Sequence, residues 1–435
     1  MRLKTLLYVF LVGCLCLACR PVAGPPFPSA RGRAQAKPVE IRVAAPRRDA
    51  GIDPRVQGFA DQHPEMTVVP YPIDFWRGGT ISDRMKEEAE VAGSEEGASY
   101  VVYTRADLLA ALAEEDLLLE LSPFMQGTDG LTPDSFFPAL IEPFQVGDKI
   151  FVLPVAVDPV MLYYNADLFA RKGVPPPAAD WTWDNLLQAA VKFAEPDANP
   201  PVYGLLVLET LPFIYQNGGS LVDDPVAPKH FTLDAPETVE AIQWLMDLAS
   251  FYRVMPPYEN QVYRDTSKAF SLIREGRVAM WVTTMSFRNY VGSNVTWPFQ
   301  WGVAPLPQGR TKATVGDMEG VAILKNAANP RESWALVSYL VSHLPSGAGP
   351  LSQVPALRSL AESQDFFRRM PDKGVEAYVQ SMSFFILPLS LTSGVGWRLD
   401  EVLWRNLEPA FNGSVDLREA MDAAQQEAER TLSLQ

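Results

Sequence analysis

Apolar and polar positions recur along this chain at two periods, and the two periods take turns. Val39-Glu-Ile-Arg-Val-Ala-Ala45 alternates every second residue, as a half-buried strand does. A helical stripe through Val56, Phe59 and Ala60 then leads to a second strand at 66–71, and another through Met85 and Ala89 leads to a third at 99–103. Such alternation predicts a layered α/β sheet. Further on, Thr182 is placed to cap a helix whose apolar stripe is Leu186, Leu187, Ala190, Val191 and Ala194. Asp234-Ala-Pro-Glu237 has the spacing of a capping box ahead of Val239, Ile242, Leu245, Met246 and Ala249. Arg274 to Val282 turns a helix end into a buried strand, Asn329-Pro330 opens a helix containing Trp334, Val337 and Leu340, and Asp416 opens the last helix.

The run Ile150-Phe-Val-Leu-Pro-Val-Ala-Val-Asp-Pro-Val-Met-Leu-Tyr-Tyr-Asn-Ala-Asp-Leu-Phe169 joins two β-rich segments around Pro154, Asp158 and Pro159. Its Val, Leu and Tyr residues favour a buried strand, whereas proline cannot donate to a ladder, so the prolines should sit where the sheet is interrupted. A stiff strand with a break in it is a natural hinge. The run resembles the first interlobe crossing of the family 1 extracellular solute-binding proteins, the maltose-binding-like receptors of ABC importers. Trp181-Thr-Trp-Asp184, Asn217-Gly-Gly219, Gly276-Arg-Val-Ala-Met280, Trp301-Gly-Val-Ala-Pro-Leu-Pro307 and Gly320-Val-Ala-Ile-Leu-Lys325 follow in that family's order, so the resemblance covers residues 38–435. It implies an α/β, type II periplasmic-binding-protein fold of two lobes joined by crossover hinge segments. Lobe one is expected from 38–157 and 305–341, lobe two from 158–304 and 342–435.

Composition narrows the classes. The chain has 435 residues, 47% of them hydrophobic, enough for a large core and too apolar for disorder. Its formal net charge of −15 excludes affinity for phosphate backbones, and no basic patch suggests nucleic acid as a partner. Arg2 and Lys4 precede an apolar run, Leu6 to Val12, that is too short to span a bilayer, so residues 1–18 read as an export signal. All three cysteines, Cys14, Cys16 and Cys19, fall in or at the end of that segment, which leaves no disulfide, thiolate zinc site or cysteine nucleophile for the rest. Leu15-Cys16-Leu17-Ala18-Cys19 resembles a bacterial lipobox. Lipidation is expected at Cys19, with residues 19–37 as lipid anchor and proline-rich tether; Leu11-Val12-Gly13-Cys14 is the competing match, and an ordinary cleaved signal is the other reading.

Candidate chemistry favours binding over catalysis. His63, His230 and His343 lack metal-ligand spacing, and no Gly-x-Ser-x-Gly elbow, Walker motif or dinucleotide fingerprint precedes a helix, so neither metal nor cofactor is expected. Paired carboxylates of the glycoside-cleaving kind stay open, because their separation is a matter of structure. Sugars need flat apolar surface for their C–H faces and polar groups for their hydroxyls. Loops after the strands of an open α/β sheet face a crevice. There, Arg47 and Arg48 follow the first strand, Phe75 and Trp76 the second, Tyr103 ends the third, Ser286 and Arg288 follow the Ala-Met strand, and Glu319 precedes the Gly320 strand. The resemblance adds Asp158, at a hinge position where similar sugar receptors carry an acid, and Trp397, in a late segment where they present an aromatic. The expected ligand-binding set is therefore Arg48, Trp76, Tyr103, Asp158, Ser286, Arg288, Glu319 and Trp397. Trp183, Trp244, Trp334 and Trp404 sit at helical positions and read as packing, Met280 as core and Met285 as cleft edge.

What the resemblance implies is a monomeric, exported cell-envelope lipoprotein that captures a carbohydrate by hinge closure and delivers it to the transmembrane subunits of an ABC permease. Other solutes, namely a polyamine, a peptide or glycerol phosphate, remain alternatives, as does an exported carbohydrate-active enzyme. Clustered acids around an aromatic box would indicate the polyamine.

Overall fold

The computed structural model describes residues 39–46, 53–73 and 99–432, apart from 128–129, 225–227, 259–261, 264, 290–296, 346–350, 371–372 and 389–395. Eleven strands occur among the described residues: β1 (Val39–Pro46), β2 (Met66–Ile73), β3 (Ser99–Arg105), β4 (Gln145–Val146), β5 (Lys149–Ile150), β6 (Leu153–Asn165), β7 (Tyr203–Val207), β8 (Val278–Thr284), β9 (Trp301–Ala304), β10 (Gly316–Ile323) and β11 (Val354–Pro355). Nine make one mixed sheet in the order β2-β1-β3-β10-β6-β8-β7, with β9 and β11 also paired to β6, and β4 and β5 form a separate hairpin. The first three strands fall where the alternation places them.

β6 joins the two ends of this sheet. Its thirteen residues are all buried. Leu153 to Pro159 lie antiparallel to β10, whereas Val160 to Asn165 lie antiparallel to β8 and β9. The prolines mark the breaks, as their missing N–H requires. Pro154 pairs with Gly320 beside the register shift between Glu319 and Gly320, and Pro159 pairs with Gly316 at the last position before β6 passes to β8. One residue on, the Val160 amide donates to the Val315 carbonyl at 2.8 Å.

Side chains alternate faces along the second half of β6, because successive Cβ atoms point to opposite sides of a sheet. Met161 and Tyr163 join one apolar cluster with β1 and β3, and Val160, Leu162 and Tyr164 join a second. On the first face Tyr163 stacks on Trp281 with ring centroids 5.9 Å apart. The stretch 342–435 supplies both clusters. Val354 and Pro355 pair with the first half of β6, and residues from Leu351 to Leu387 pack in the first cluster. The helices Gly396–Phe411 and Leu417–Thr431 pack in the second.

Local signals fare unevenly. Thr182 caps the helix Trp183–Phe193 in a capping box with Asn185, and Asp416 caps the final helix through the Arg418 amide. Asp234 does not cap. Ala235 is the N-cap of Pro236–Ser250, with Pro236 at the first helical position, so Asp234 stands one residue outside the cap. Val191 lies on the solvent face rather than in the apolar stripe, and Met285 is fully buried rather than at a cleft edge. Trp183 and Trp244 stack at 4.3 Å and Trp334 is buried, the packing roles expected of them. No helix among the described residues is long and apolar enough to cross a membrane.

Close approach of β10 to β6 makes Gly316 a sensitive position. A Cβ there would fall 2.1 Å from the Asp158 carbonyl oxygen, so backbone must move. Gly316→Ala is expected to cost about 1–3 kcal/mol of stability in chemical denaturation, with the strain of overpacking as its cause; an unchanged denaturation midpoint would mean that the two strands are not pinned together here.

Candidate functional site

Two groups of polar side chains flank the passage of β6 through the sheet. The first is built from β3, β10 and the helix Pro54–Gln62. Asp53 and Arg55 form a fork, with Nη2 to Oδ2 at 2.6 Å and Nε to Oδ1 at 3.0 Å. Arg55 also donates to the Tyr103 hydroxyl at 2.8 Å and to the Leu340 carbonyl at 3.1 Å, and the Tyr103 hydroxyl donates to Glu319 Oε2 at 2.5 Å. Burial opposes the Arg55 charge, but Tyr103 and Asp53 outweigh it and raise its pKa. Burial and the neighbouring Glu319 push the Tyr103 phenol well above its ordinary value, so it stays protonated as the donor. Tyr103 and Glu319, expected separately, thus meet, in an ionic network whose members satisfy one another.

The second group surrounds a cavity of about 400 Å³ lined by residues that follow β7, by Val160 of β6, by Thr284 of β8, by Gly316 and Asp317 of β10, and by the helix Gly396–Phe411. Its apolar wall is a run of rings. Tyr258 stacks on Tyr263 at 5.6 Å and on Phe411 at 4.9 Å, and Phe411 stacks in turn on Trp404 at 6.0 Å. Its polar wall carries Glu209, Asp317 and Asp400. Next to it, buried Asp158 accepts a hydrogen bond from the Ser286 amide at 2.9 Å, and the Ser286 hydroxyl lies 3.2 Å from that of Thr284. Asp158 and Ser286, two more of the expected residues, therefore meet beside the cavity, although no expected residue that the structure describes lines it. Arg48, Trp76 and Cys19 lie outside the described residues, as do the side chains of Arg288 and Trp397.

The acids of this group repel one another in a partly dry setting. Desolvation pushes Asp158 up to about 7, against the Ser286 hydrogen bonds and with help from Asp317. It pushes Glu209 up to about 8, with Asp317, Asp158 and Asp400 adding to the shift, and Asp400 up to about 7, again with Asp317. Asp317, exposed at the cavity wall, is also raised, first by desolvation, with Arg105 opposing. Among the described residues no group of three or more His, Cys, Asp or Glu side chains could hold a metal ion.

Sequence reasoning missed this wall. Asp400, Trp404 and Phe411 stand at i, i+4 and i+11 of one helix, a spacing that returns to the same face, and Trp404 was expected to pack. Glu209 follows β7, where the rule that loops after strands face the crevice applies as well as it does to β1 and β2.

A carboxyl with a raised pKa is neutral in the fold where the unfolded chain has already ionised, so its share of stability is whole below about pH 4 and is lost as the pH rises through its folded value. The ligand-free protein is expected to melt at lower temperature at about pH 8 than at about pH 5, and Asp158→Asn to flatten that decline. Calorimetric melting across this interval checks it; a wild-type melting temperature that climbs with pH would contradict the shifts.

Comparison with known proteins places this geometry. Residues 48–343 match the family described as bacterial extracellular solute-binding protein. A Deinococcus radiodurans chain described as a "Probable ABC transporter-binding protein" is 25% identical over 252 residues, 54% of this chain and 58% of that one. A Brucella abortus binding protein is 27% identical over 49% of this chain and 52% of its own. The chain spans about half the length of these curated relatives. Among solved structures, the ABC substrate-binding protein of Listeria monocytogenes in complex with cycloalternan superposes with a TM-score of 0.69 at 20% identity, covering 91% of this chain and 99% of that one. Maltose-bound MalE3 of T. maritima gives 0.66 at 19%, covering 90% and 100%. These likenesses show the two-lobed binding-protein fold, and with the family match over 48–343 the chain belongs to the bacterial extracellular solute-binding proteins.

Proposed function

We propose that the chain is the substrate-binding subunit of an ABC importer and that it captures a carbohydrate in the cavity beside β6. The observation that carries this reading is the run of rings Tyr263, Tyr258, Phe411 and Trp404 lining one cavity with Glu209, Asp317 and Asp400. Stacked rings suit the C–H faces of a sugar, and carboxylates accept from its hydroxyls. Proteins of the same fold that hold cycloalternan and maltose support the choice of solute class. In this reading the two lobes close by bending at β6, the solute stabilises the closed state, and the closed protein presents a face to a permease. The protein acts as a monomer, binds without converting its solute, and is held at the outer face of the membrane by a lipid on Cys19 and a tether over 20–37.

Thermal shift and calorimetry against neutral mono- and oligosaccharides test the proposal. A bound sugar at a hundredfold excess over its Kd should add about 2.7 kcal/mol of stability. Trp404→Ala is expected to weaken that binding about tenfold through the lost stacking surface, and the sugar should be recovered intact. Consumption of the sugar would instead favour a glycoside-cleaving enzyme, for which Asp158 and Asp317, partners across β6 and β10, offer a carboxylate pair.

A further inference from the structure

The cavity wall carries more acidic side chains than a neutral sugar calls for. Three carboxylates, those of Glu209, Asp317 and Asp400, line it, and no described lysine or arginine does. Among the described residues none of the three makes a hydrogen bond or ion pair. Arg105, the cation that acts on Asp317, is committed to Asp107 through two bonds of 3.0 and 3.1 Å. A chelated metal does not account for them, since they do not gather as a metal-binding group. They line the same volume of about 400 Å³ as the rings of Tyr258, Tyr263, Trp404 and Phe411. Ring faces attract cations through their quadrupole, and an ammonium brings several N–H donors to separate carboxylates at once. The cavity and its rings make the site, and the acids decide the charge of what fills it.

We propose that the solute of this cavity carries a protonated amino group on a carbon skeleton, as an amino sugar or a linear polyamine does, held between Glu209, Asp317 and Asp400 and the rings of Tyr258 and Trp404. The inference rests on reading the cavity as the solute site. An amino sugar satisfies both walls together, its ring faces on the aromatics and its ammonium among the carboxylates. Beside hydroxyls alone the acids shed their mutual repulsion only by taking up protons, whereas an ammonium lets them ionise and pairs with the charge that results.

Calorimetric titration of the purified protein with chitosan disaccharide, with its neutral N-acetylated counterpart and with spermidine tests the charge and its source. The free amine is expected to bind about ten- to a hundredfold more tightly than the acetylated sugar, the range of a charge-assisted hydrogen bond or two. Added salt should narrow the margin, and Asp400→Asn should narrow it further. Thermal unfolding of Asp400→Asn, expected at a temperature no lower than wild type, verifies that the variant is folded. Preference for the disaccharide assigns an amino sugar, and preference for spermidine a polyamine. Equal or tighter binding of the acetylated sugar would overturn the inference and leave the carbohydrate reading standing. Silence from all three probes, together with a flat response to neutral sugars, would overturn both.

Discussion

Every residue of β6 is buried, so each of its backbone N–H and C=O groups must find a partner inside the protein. That requirement shapes the rest of the sheet. β10 and β11 serve the first half, β8 and β9 the second, and the strand cannot be withdrawn from either without stranding polar groups in an apolar setting. Pro154 and Pro159 relieve the demand where no partner is available, and at those points the pairing shifts or changes hands. A bend located there disturbs few bonds, whereas a bend elsewhere along β6 would break a ladder.

The same arrangement explains where the cavity lies. Strands β6, β8 and β10 end or change partners together, leaving Val160, Thr284 and Gly316 at a gap that the helix Gly396–Phe411 and the residues after β7 close over. A gap bounded by strand ends collects polar groups, and here it has collected acids. Their raised pKa values express the conflict between desolvation and charge that such a wall stores in the absence of a partner. By contrast, Asp53, Arg55, Tyr103 and Glu319 form a network in which each carboxylate already accepts a hydrogen bond, which suits a structural role between β3 and β10.

Much of the fold was legible because it rests on local period. The first strands, the crossing at Pro154 to Pro159 and the caps at Thr182 and Asp416 need only neighbouring residues to declare themselves. Asp234 failed as a cap because the helix starts one residue later than the capping-box spacing places it, which leaves Ala235 at the cap position. The site was less legible. Tyr103 with Glu319, and Asp158 with Ser286, were found as individuals, yet their partnerships depend on pairings across 216 and 128 residues that no local pattern encodes. The cavity wall combines Glu209, Tyr258 and Trp404 from three separate segments, and its one local signal, the Asp400, Trp404, Phe411 spacing, goes unread because Trp404 at a helical position reads as packing.

Hydrogen–deuterium exchange with and without a saturating solute locates the binding site most directly. The account predicts added protection at 207–211, 255–258 and 400–411, which contribute to the cavity lining, with β6 slow to exchange in both states. Protection confined to other segments, with these three unchanged, would contradict it.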